Sequence, residues 1–338
     1  MAHFAALAGL GSYLPPRLVT NAELAARFDT SDEWITSRTG IRTRHWATPG
    51  VATSDLAVEA GHRALKSADL PLEPGAVDAV VLATTTPDHP CPATAPQVAA
   101  RLGLGTIAAY DIAAVCSGFL YALAVASAQI AAGQARRVLV IGAETYSTIL
   151  NPADRTTSVI FGDGAGAVVL SATPDADRPG VVLGVELGSD GSQQDLIIIP
   201  GGGSRERATP GSPDPQGRYF AMQGKKVFAE AVTRMGDSAS ALLDRVGWPV
   251  ESLDHLVGHQ ANIRILAALA QRLGIDEERA VVNVDRVGNT SAASIPLALS
   301  DAAAAGTLTA GSRVLLTAFG GGLTWGAAVL TWPHLNVA

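Results

Sequence analysis

Arg137-Val138-Leu139-Val140-Ile141-Gly142 is almost wholly apolar, the pattern of a strand buried on both faces of a parallel sheet. The same pattern returns in Arg313-Val314-Leu315-Leu316-Thr317-Ala318-Phe319-Gly320. A second apolar run follows each: Gly164 to Leu170 after the first, Trp325-Gly326-Ala327-Ala328-Val329-Leu330 after the second. Upstream, Pro71 to Val81 is echoed by Pro249 to Val257, in the same place relative to a preceding helix. Such a repeat predicts two similar α/β halves, residues 1–172 and 180–338, joined through a link at Pro174–Pro179. Packed sheet to sheet across buried helices, they would bring the loops after their strands to one shared face, where α/β folds bind ligands.

Composition agrees with that class. At 338 residues the chain exceeds the usual single-core size. Its 48% hydrophobic content, 35 glycines and 16% charged residues describe a compact α/β protein rather than a disordered one. A net charge of −7 argues against nucleic acid as the main partner, because phosphate neutralisation needs a basic face. Two cysteines, Cys91 and Cys116, make no disulfide framework and fit a reducing cytoplasm. Met1-Ala2-His3-Phe4 lacks the charged and apolar regions of a signal peptide, and no uninterrupted apolar run reaches membrane-spanning length.

Local signals fill in the elements. A strand is expected from Phe4 to Leu10, and helices at Ala22–Phe28, Asp32–Ser37 and Asp55–Ser67, capped by Asn21, Ser31 and Ser54. The strand Ala79–Ala83 opens into a loop ending at Cys91, and a helix runs from about Ala95 to Leu102. The strand Ala108–Ala113 then delivers Cys116 to the start of an alanine-rich helix. Free N–H groups and the positive dipole end there favour a thiolate and can hold an oxyanion. The glycines of Phe161-Gly162-Asp163-Gly164 precede their strand, so they read as a close-packed turn and not as a dinucleotide fingerprint.

Superposing the halves sets Asp285–Ser291 in the place of the Cys116 loop, and Gly258-His259-Gln260-Ala261-Asn262 in that of Thr84–Cys91. Cys116, His259 and Asn289 should therefore meet. A thiolate accepts an acyl group from a thioester, and a neutral imidazole with an amide N–H stabilises the enolate left when a malonyl thioester loses CO2. Gly320-Gly321-Gly322 permits close backbone approach, so an N–H there can be a second oxyanion donor. Trp34, Arg38, Arg42 and Arg44 suit either a phosphorylated, adenine-bearing ligand or an ordinary solvated face.

Thr30–Ile35, Arg38–Arg42, Phe161–Ala167, His259–Asn262, Gly288–Ser294 and Phe319–Gly326 jointly resemble β-ketoacyl-acyl carrier protein synthase III, the initiating condensing enzyme of bacterial type II fatty acid synthesis. The likeness runs over nearly the whole chain. It implies a thiolase-like fold of α-β-α-β-α layers, a homodimer, and a ping-pong Claisen condensation with no cofactor beyond its substrates. Cys116 would be acylated from acyl-CoA and malonyl-acyl carrier protein would extend the acyl group. His259 and Asn289 would assist decarboxylation, and the backbone amides of Cys116 and Gly321 would form the oxyanion hole. Trp34, Arg38, Arg155 and Asn262 would line the channel for CoA or phosphopantetheine, and Cys91, Leu196 and Phe319 the acyl pocket.

Chain-elongating synthases use two histidines with the cysteine, and degradative thiolases a second cysteine in the C-terminal glycine loop; here Asn289 and Thr317–Gly326 fit neither. Two departures from the resemblance matter. Cys91 stands where acetyl-specific members usually carry a bulky phenylalanine reaching across the dimer, which implies a roomier acyl pocket. A lysine that aids carrier-protein docking is Ala229 here, leaving Lys225, Lys226, Arg264 and Arg272 as the alternative basic patch or as solvated helix faces. Competing expectations are an enzyme of specialised metabolism, priming a polyketide synthase or acylating another acceptor, and a non-catalytic acyl-CoA-binding scaffold.

Overall fold

The computed structural model describes residues 3–209, 211 and 214–336. β1 (Phe4–Tyr13), β2 (Ala79–Ala83), β3 (Ala108–Ile112), β4 (Arg137–Glu144) and β5 (Gly164–Thr173) form a five-stranded sheet in the order β1-β5-β4-β2-β3. β6 (Val182–Ser189), β7 (His255–Gly258), β8 (Arg313–Gly320) and β9 (Thr324–Thr331) form a four-stranded sheet in the order β7-β8-β9-β6. Four strands of the first sheet correspond in order and direction to the four of the second. β2 runs parallel to β4 as β7 does to β8, and antiparallel β5 and β1 are matched by β9 and β6. A parallel bridge from Leu256 to Ala280 stands where β3 pairs in the first sheet.

Period-two alternation sorts each strand between two layers. Val138 and Val140 of β4 face a central core, while Leu139, Ile141 and Ala143 face the outside of the first sheet. On β8, Val314, Leu316 and Ala318 enter the same central core, and Leu315 and Phe319 the opposite one. The helices that matter to the site are α1 (Asp32–Thr39), α2 (Thr53–Ser67), α3 (Ala95–Arg101), α4 (Gly118–Ala131), α5 (Gly224–Val246), α6 (Ile263–Leu273) and α7 (Ser294–Ala304). α4 and α7 fill the space between the sheets, burying Phe119, Leu123, Ile295 and Leu299 there. Covered from two sides, they are apolar nearly all round. α2 and α3 cover the first sheet, and α5 and α6 the second. The result is the α-β-α-β-α stack.

Two expected caps are displaced. Thr20, not Asn21, accepts from Glu23 N–H, because Asn21 is buried and spends its amide on Arg44, Asp32 and the Ile41 carbonyl. α2 starts at Thr53 with Ala52 as N-cap, and the Asp55 carboxylate takes the Ala52 N–H at 2.8 Å. Ser54 lies inside that helix, where its hydroxyl accepts from Arg101. Ser31 does cap α1, accepting from Trp34 N–H at 3.1 Å.

Candidate active site

Val115–Ser117 makes one tight turn between β3 and α4, with Val115 at φ 47°. Its counterpart, Ser291–Ala293 before α7, starts with Ser291 at φ 50°. Both are non-glycine residues in the left-handed region, a strained conformation at the turns that open the two helices between the sheets. Gly320, closing β8, lies directly beneath the first turn. A Cβ there would fall 2.8 Å from the Cys116 nitrogen. Thr324 ties the glycine run to the same turn, its Oγ1 lying 2.7 Å from Ser117 Oγ and 3.1 Å from the Ala114 carbonyl.

The thiol contradicts one expectation. Cys116 is buried at the turn, and desolvation pushes its pKa up to about 12, with the nearby Glu144 carboxylate acting in the same direction. The backbone amide and the Ser291 hydroxyl pull the other way without prevailing. Local sequence reports the helix start but not the depth of burial, so the resting group is a thiol rather than a thiolate.

His259 follows β7, with its N–H on the Thr317 carbonyl at 2.8 Å. Its Nδ1 and Ser294 Oγ share a hydrogen bond at 2.6 Å. Burial lowers its pKa to about 3, so the imidazole is neutral. Asn289 is pinned through its backbone: its N–H donates to Ile160 O and its carbonyl accepts from Gly162 N–H, both at 2.9 Å. Gly162 is required for this, because a Cβ would stand 2.2 Å from the Val287 carbonyl. Asn289 Oδ1 accepts from Ser291 N–H at 2.9 Å, so what the side chain can offer a substrate is its Nδ2 donor.

Cys116, His259, Asn289 and Phe319 line one cavity of ≈ 40 Å³, together with Phe161 and Ile197. Leu196 is not in that lining. It ends the tight turn Gly191–Leu196 and is buried in the core beside α5, while the next residue, Ile197, reaches the cavity. Cys91 is also absent from it, exposed on the loop after β2. A cleft of ≈ 510 Å³ shares Met222, Val227, Ala261, Ile265 and Asn289 with the cavity and leads outward past Trp34, Arg38 and Asn262. Guanidinium groups of Arg38 and Arg155 lie 4.7 and 5.1 Å from the Trp34 ring centre. Asn262 caps α6 through Arg264 N–H and donates to the Arg38 carbonyl at 2.9 Å. Lys225 and Arg264 border this cleft, whereas Lys226 does not and Arg272 is ion-paired with Asp237.

Sequence reasoning missed two buried groups beside this constellation. Ser294 holds the imidazole, and Glu144 closes β4 with its pKa raised by burial to about 7. A lone acid ending an otherwise apolar strand is the one signal that could have singled Glu144 out. Among the described residues, no cluster of three or more His, Cys, Asp or Glu is placed to hold a metal ion.

Comparison with known proteins gives consistent findings. Residues 110–191 match the family model for 3-oxoacyl-[acyl-carrier-protein (ACP)] synthase III, and residues 243–332 match that for its C-terminal part. The β-ketoacyl-[acyl-carrier-protein] synthase III 5 of Streptomyces coelicolor is 66% identical over 330 residues, covering 98% of both chains. The solved 3-oxoacyl-(acyl carrier protein) synthase III of Pseudomonas aeruginosa PAO1 is 51% identical with a TM-score of 0.90, covering 98% of this chain and 99% of that one. A priming β-ketosynthase of the R1128 polyketide pathway is 34% identical with a TM-score of 0.89, over 98% of this chain and 97% of that one.

Proposed function

The chain belongs to the 3-oxoacyl-[acyl-carrier-protein] synthase III family of condensing acyltransferases, and from that premise we propose that it joins an acyl-CoA primer to malonyl-acyl carrier protein through an acyl group carried on Cys116. One observation carries this reading: the thiol, a neutral imidazole and a carboxamide share one buried cavity, with Gly320 packed on the turn that bears the thiol, at the end of an arginine-lined cleft. The halves 1–172 and 180–338 are copies in this account, supported by the matched strand orders and the paired strained turns.

In the first half-reaction Cys116 attacks the thioester carbonyl, and the N–H groups of Cys116 and Gly321 take the oxyanion. CoA leaves along the cleft, its adenine and phosphates served by Trp34, Arg38 and Arg155, with Asn262 shaping the passage. In the second, the malonyl thioester oxygen sits between His259 Nε2–H and Asn289 Nδ2–H. The proton that this role needs sits on Nε2 when Ser294 Oγ, 2.6 Å from Nδ1, is the donor of that hydrogen bond. Loss of CO2 gives an enolate held by these two donors. Its carbon attacks the acyl carbonyl and expels the Cys116 sulfur. The 3-oxoacyl carrier product leaves by the same cleft.

A homodimer is supported by β3, an edge strand of the first sheet carrying Tyr110 and Ile112. Beside it a ≈ 410 Å³ cleft lined by Pro87, Pro90, Ala113 and Val115 borders the nucleophile's turn. A partner's Cys91 closing this cleft would leave room for chains longer than acetyl. Side-by-side kinetics should therefore give a branched or medium-length acyl-CoA a higher kcat/KM than acetyl-CoA. Cys91→Phe should lower that preference by roughly tenfold or more, the scale of one or two methylenes refused by an apolar pocket. Equal or better use of acetyl-CoA by the parent enzyme defeats this reading of Cys91.

Arg264, with Lys225 on the same cleft, is the proposed dock for the acidic carrier protein; Lys226 and Arg272 do not line that cleft. Arg264→Glu should raise KM for malonyl carrier on the order of tenfold, about 1.4 kcal/mol, most of it relieved by added salt. An unaltered KM identifies an ordinary solvated face. No helix among the described residues is long and apolar enough to cross a membrane, and a cytoplasmic site of action accords with the two free cysteines.

A second reading, priming of a polyketide synthase or acyl transfer to another acceptor, is favoured by the likeness to the R1128 enzyme. Intact-mass measurement after mixing with acyl-CoA, followed by labelled CO2 release from malonyl carrier, tests the choice. An adduct with CO2 release supports condensation, an adduct without it supports plain transfer, and no adduct supports a binding scaffold.

A further inference from the structure

Glu144 has no part in the chemistry above, yet it stands where both halves of the site meet. Its carboxylate is gripped from the turn after β2: Thr85 N–H lies 3.1 and 3.0 Å from its two oxygens, and Thr86 Oγ1 donates at 2.9 Å. Gly142, on the same face of β4, lets the 291–293 turn settle on that strand end, since a Cβ would lie 2.3 Å from the Ala292 carbonyl. This mirrors Gly320 beneath the Cys116 turn. Ser291 is thereby carried over Glu144. Its hydroxyl is buried, makes no hydrogen bond, and neighbours both the Cys116 thiol and the Glu144 carboxylate.

We propose that Glu144, acting through the Ser291 hydroxyl, holds the Cys116 proton between the two half-reactions. On acylation the thiol proton passes to Ser291 Oγ as the Ser291 proton passes to the Glu144 carboxylate. The sulfur bonds to the acyl carbon, the carbon–sulfur bond to CoA breaks, and the CoA thiolate takes a proton from solvent. On condensation the enolate carbon bonds to the acyl carbon and the bond to Cys116 breaks. The emerging thiolate then recovers the proton from Glu144 by the same route. Nothing is oxidised or reduced, and each cycle returns Cys116 as thiol and Glu144 as carboxylate.

Electrostatics support the assignment. The buried thiol needs a base, and His259, neutral down to about pH 3, holds a proton poorly. Burial holds Glu144 near 7, a proton affinity matched to the working pH. The titratable groups facing it are the Cys116 thiol and the Tyr146 phenol, the latter raised well above its ordinary range. The turn after β2 presents hydroxyls and a backbone amide, and the 291–293 turn presents Ser291.

The proposal rests on Cys116 being the acyl carrier, so the adduct on the parent enzyme is mapped first; its absence from Cys116 overturns both readings together. Single-turnover acylation by acyl-CoA is then followed from about pH 5.5 to about 8.5. The parent rate should climb with pH and level off above about 7, as the carboxylate becomes free to accept. Glu144→Gln should abolish the climb and lower the rate at about pH 8 by roughly 10²-fold, the scale of losing one proton acceptor. It should lie within a few-fold of the parent at the acid end. Ser291→Gly should do the same, and glycine suits the φ of 50° there, so this variant decides the matter if Glu144→Gln does not fold. A parent-like climb in Ser291→Gly, or a loss in Glu144→Gln that is equal at every pH, overturns the proposal.

Discussion

Cys116→Ala should take no acyl group from acyl-CoA, and its condensation rate should fall by roughly 10⁶-fold, the scale of deleting an enzyme's nucleophile. The expectation follows from burial. Only two thiols are available, and Cys91 is exposed on a loop outside the cavity that holds His259 and Asn289. Peptide mapping separates the two: an acyl group found on Cys91 in this variant is surface chemistry, whereas undiminished product formation refutes the assignment. The fold should survive, because one sulfur is removed from a turn whose hydrogen bonds are made by Ala114, Ser117 and Thr324. Cys116→Gln is the informative companion. Its carboxamide places an oxygen where the acyl carbonyl would meet the Cys116 and Gly321 amides, so it resembles the acyl-enzyme. Labelled CO2 should still be released from malonyl carrier by this variant without any condensation product, which separates the enolate donors from the nucleophile.

What could be read in advance depended on how local its cause was. Ser31 caps α1 because the interaction closes within three residues. Asn21 and Ser54 have equally suitable side chains but are claimed by Arg44 and Arg101 from distant segments, and local propensity carries no trace of that competition. The strands Arg137–Glu144 and Arg313–Gly320 were legible because both of their faces are covered, which writes an unbroken apolar run. Their likeness to each other then implied the meeting of three residues far apart in the chain. Dipole reasoning about Cys116 ran the wrong way for the opposite reason: desolvation is a tertiary property, and it outweighs the few N–H groups that a turn can aim at the sulfur. Leu196 ends a short turn whose packing into the core beside α5 has no local signature, and its neighbour Ile197 lines the cavity instead. The contacts of Glu144 and Ser294 come from other segments, so apart from the place of Glu144 at the end of an apolar strand, nothing adjacent in the chain singles either out.

His259→Ala and Asn289→Ala should leave acylation of Cys116 measurable while slowing CO2 release by roughly 10²–10³, the scale of removing one oxyanion donor. Each change also strands a buried group, the Ser294 hydroxyl in one case and the Ser291 N–H in the other, at a cost of about 1–3 kcal/mol of stability. Melting temperature therefore has to be read beside rate. Asn289→Asp separates the two effects, since its carboxylate still accepts from Ser291 N–H but offers no donor and sets a negative charge against the enolate. It should melt near the parent and decarboxylate no faster than Asn289→Ala. The imidazole adds a signature in pH. Burial depresses its pKa to about 3, so it stays neutral, and able to donate from Nε2, throughout the physiological range. Decarboxylation by Cys116→Gln should accordingly show no acid limb near 6.5, the ordinary histidine value, and decline only as pH falls toward 3. A limb near 6.5 would mean that protonated His259 is disfavoured far less than its burial implies, and parent-rate CO2 release from either alanine variant would remove that residue from the enolate site.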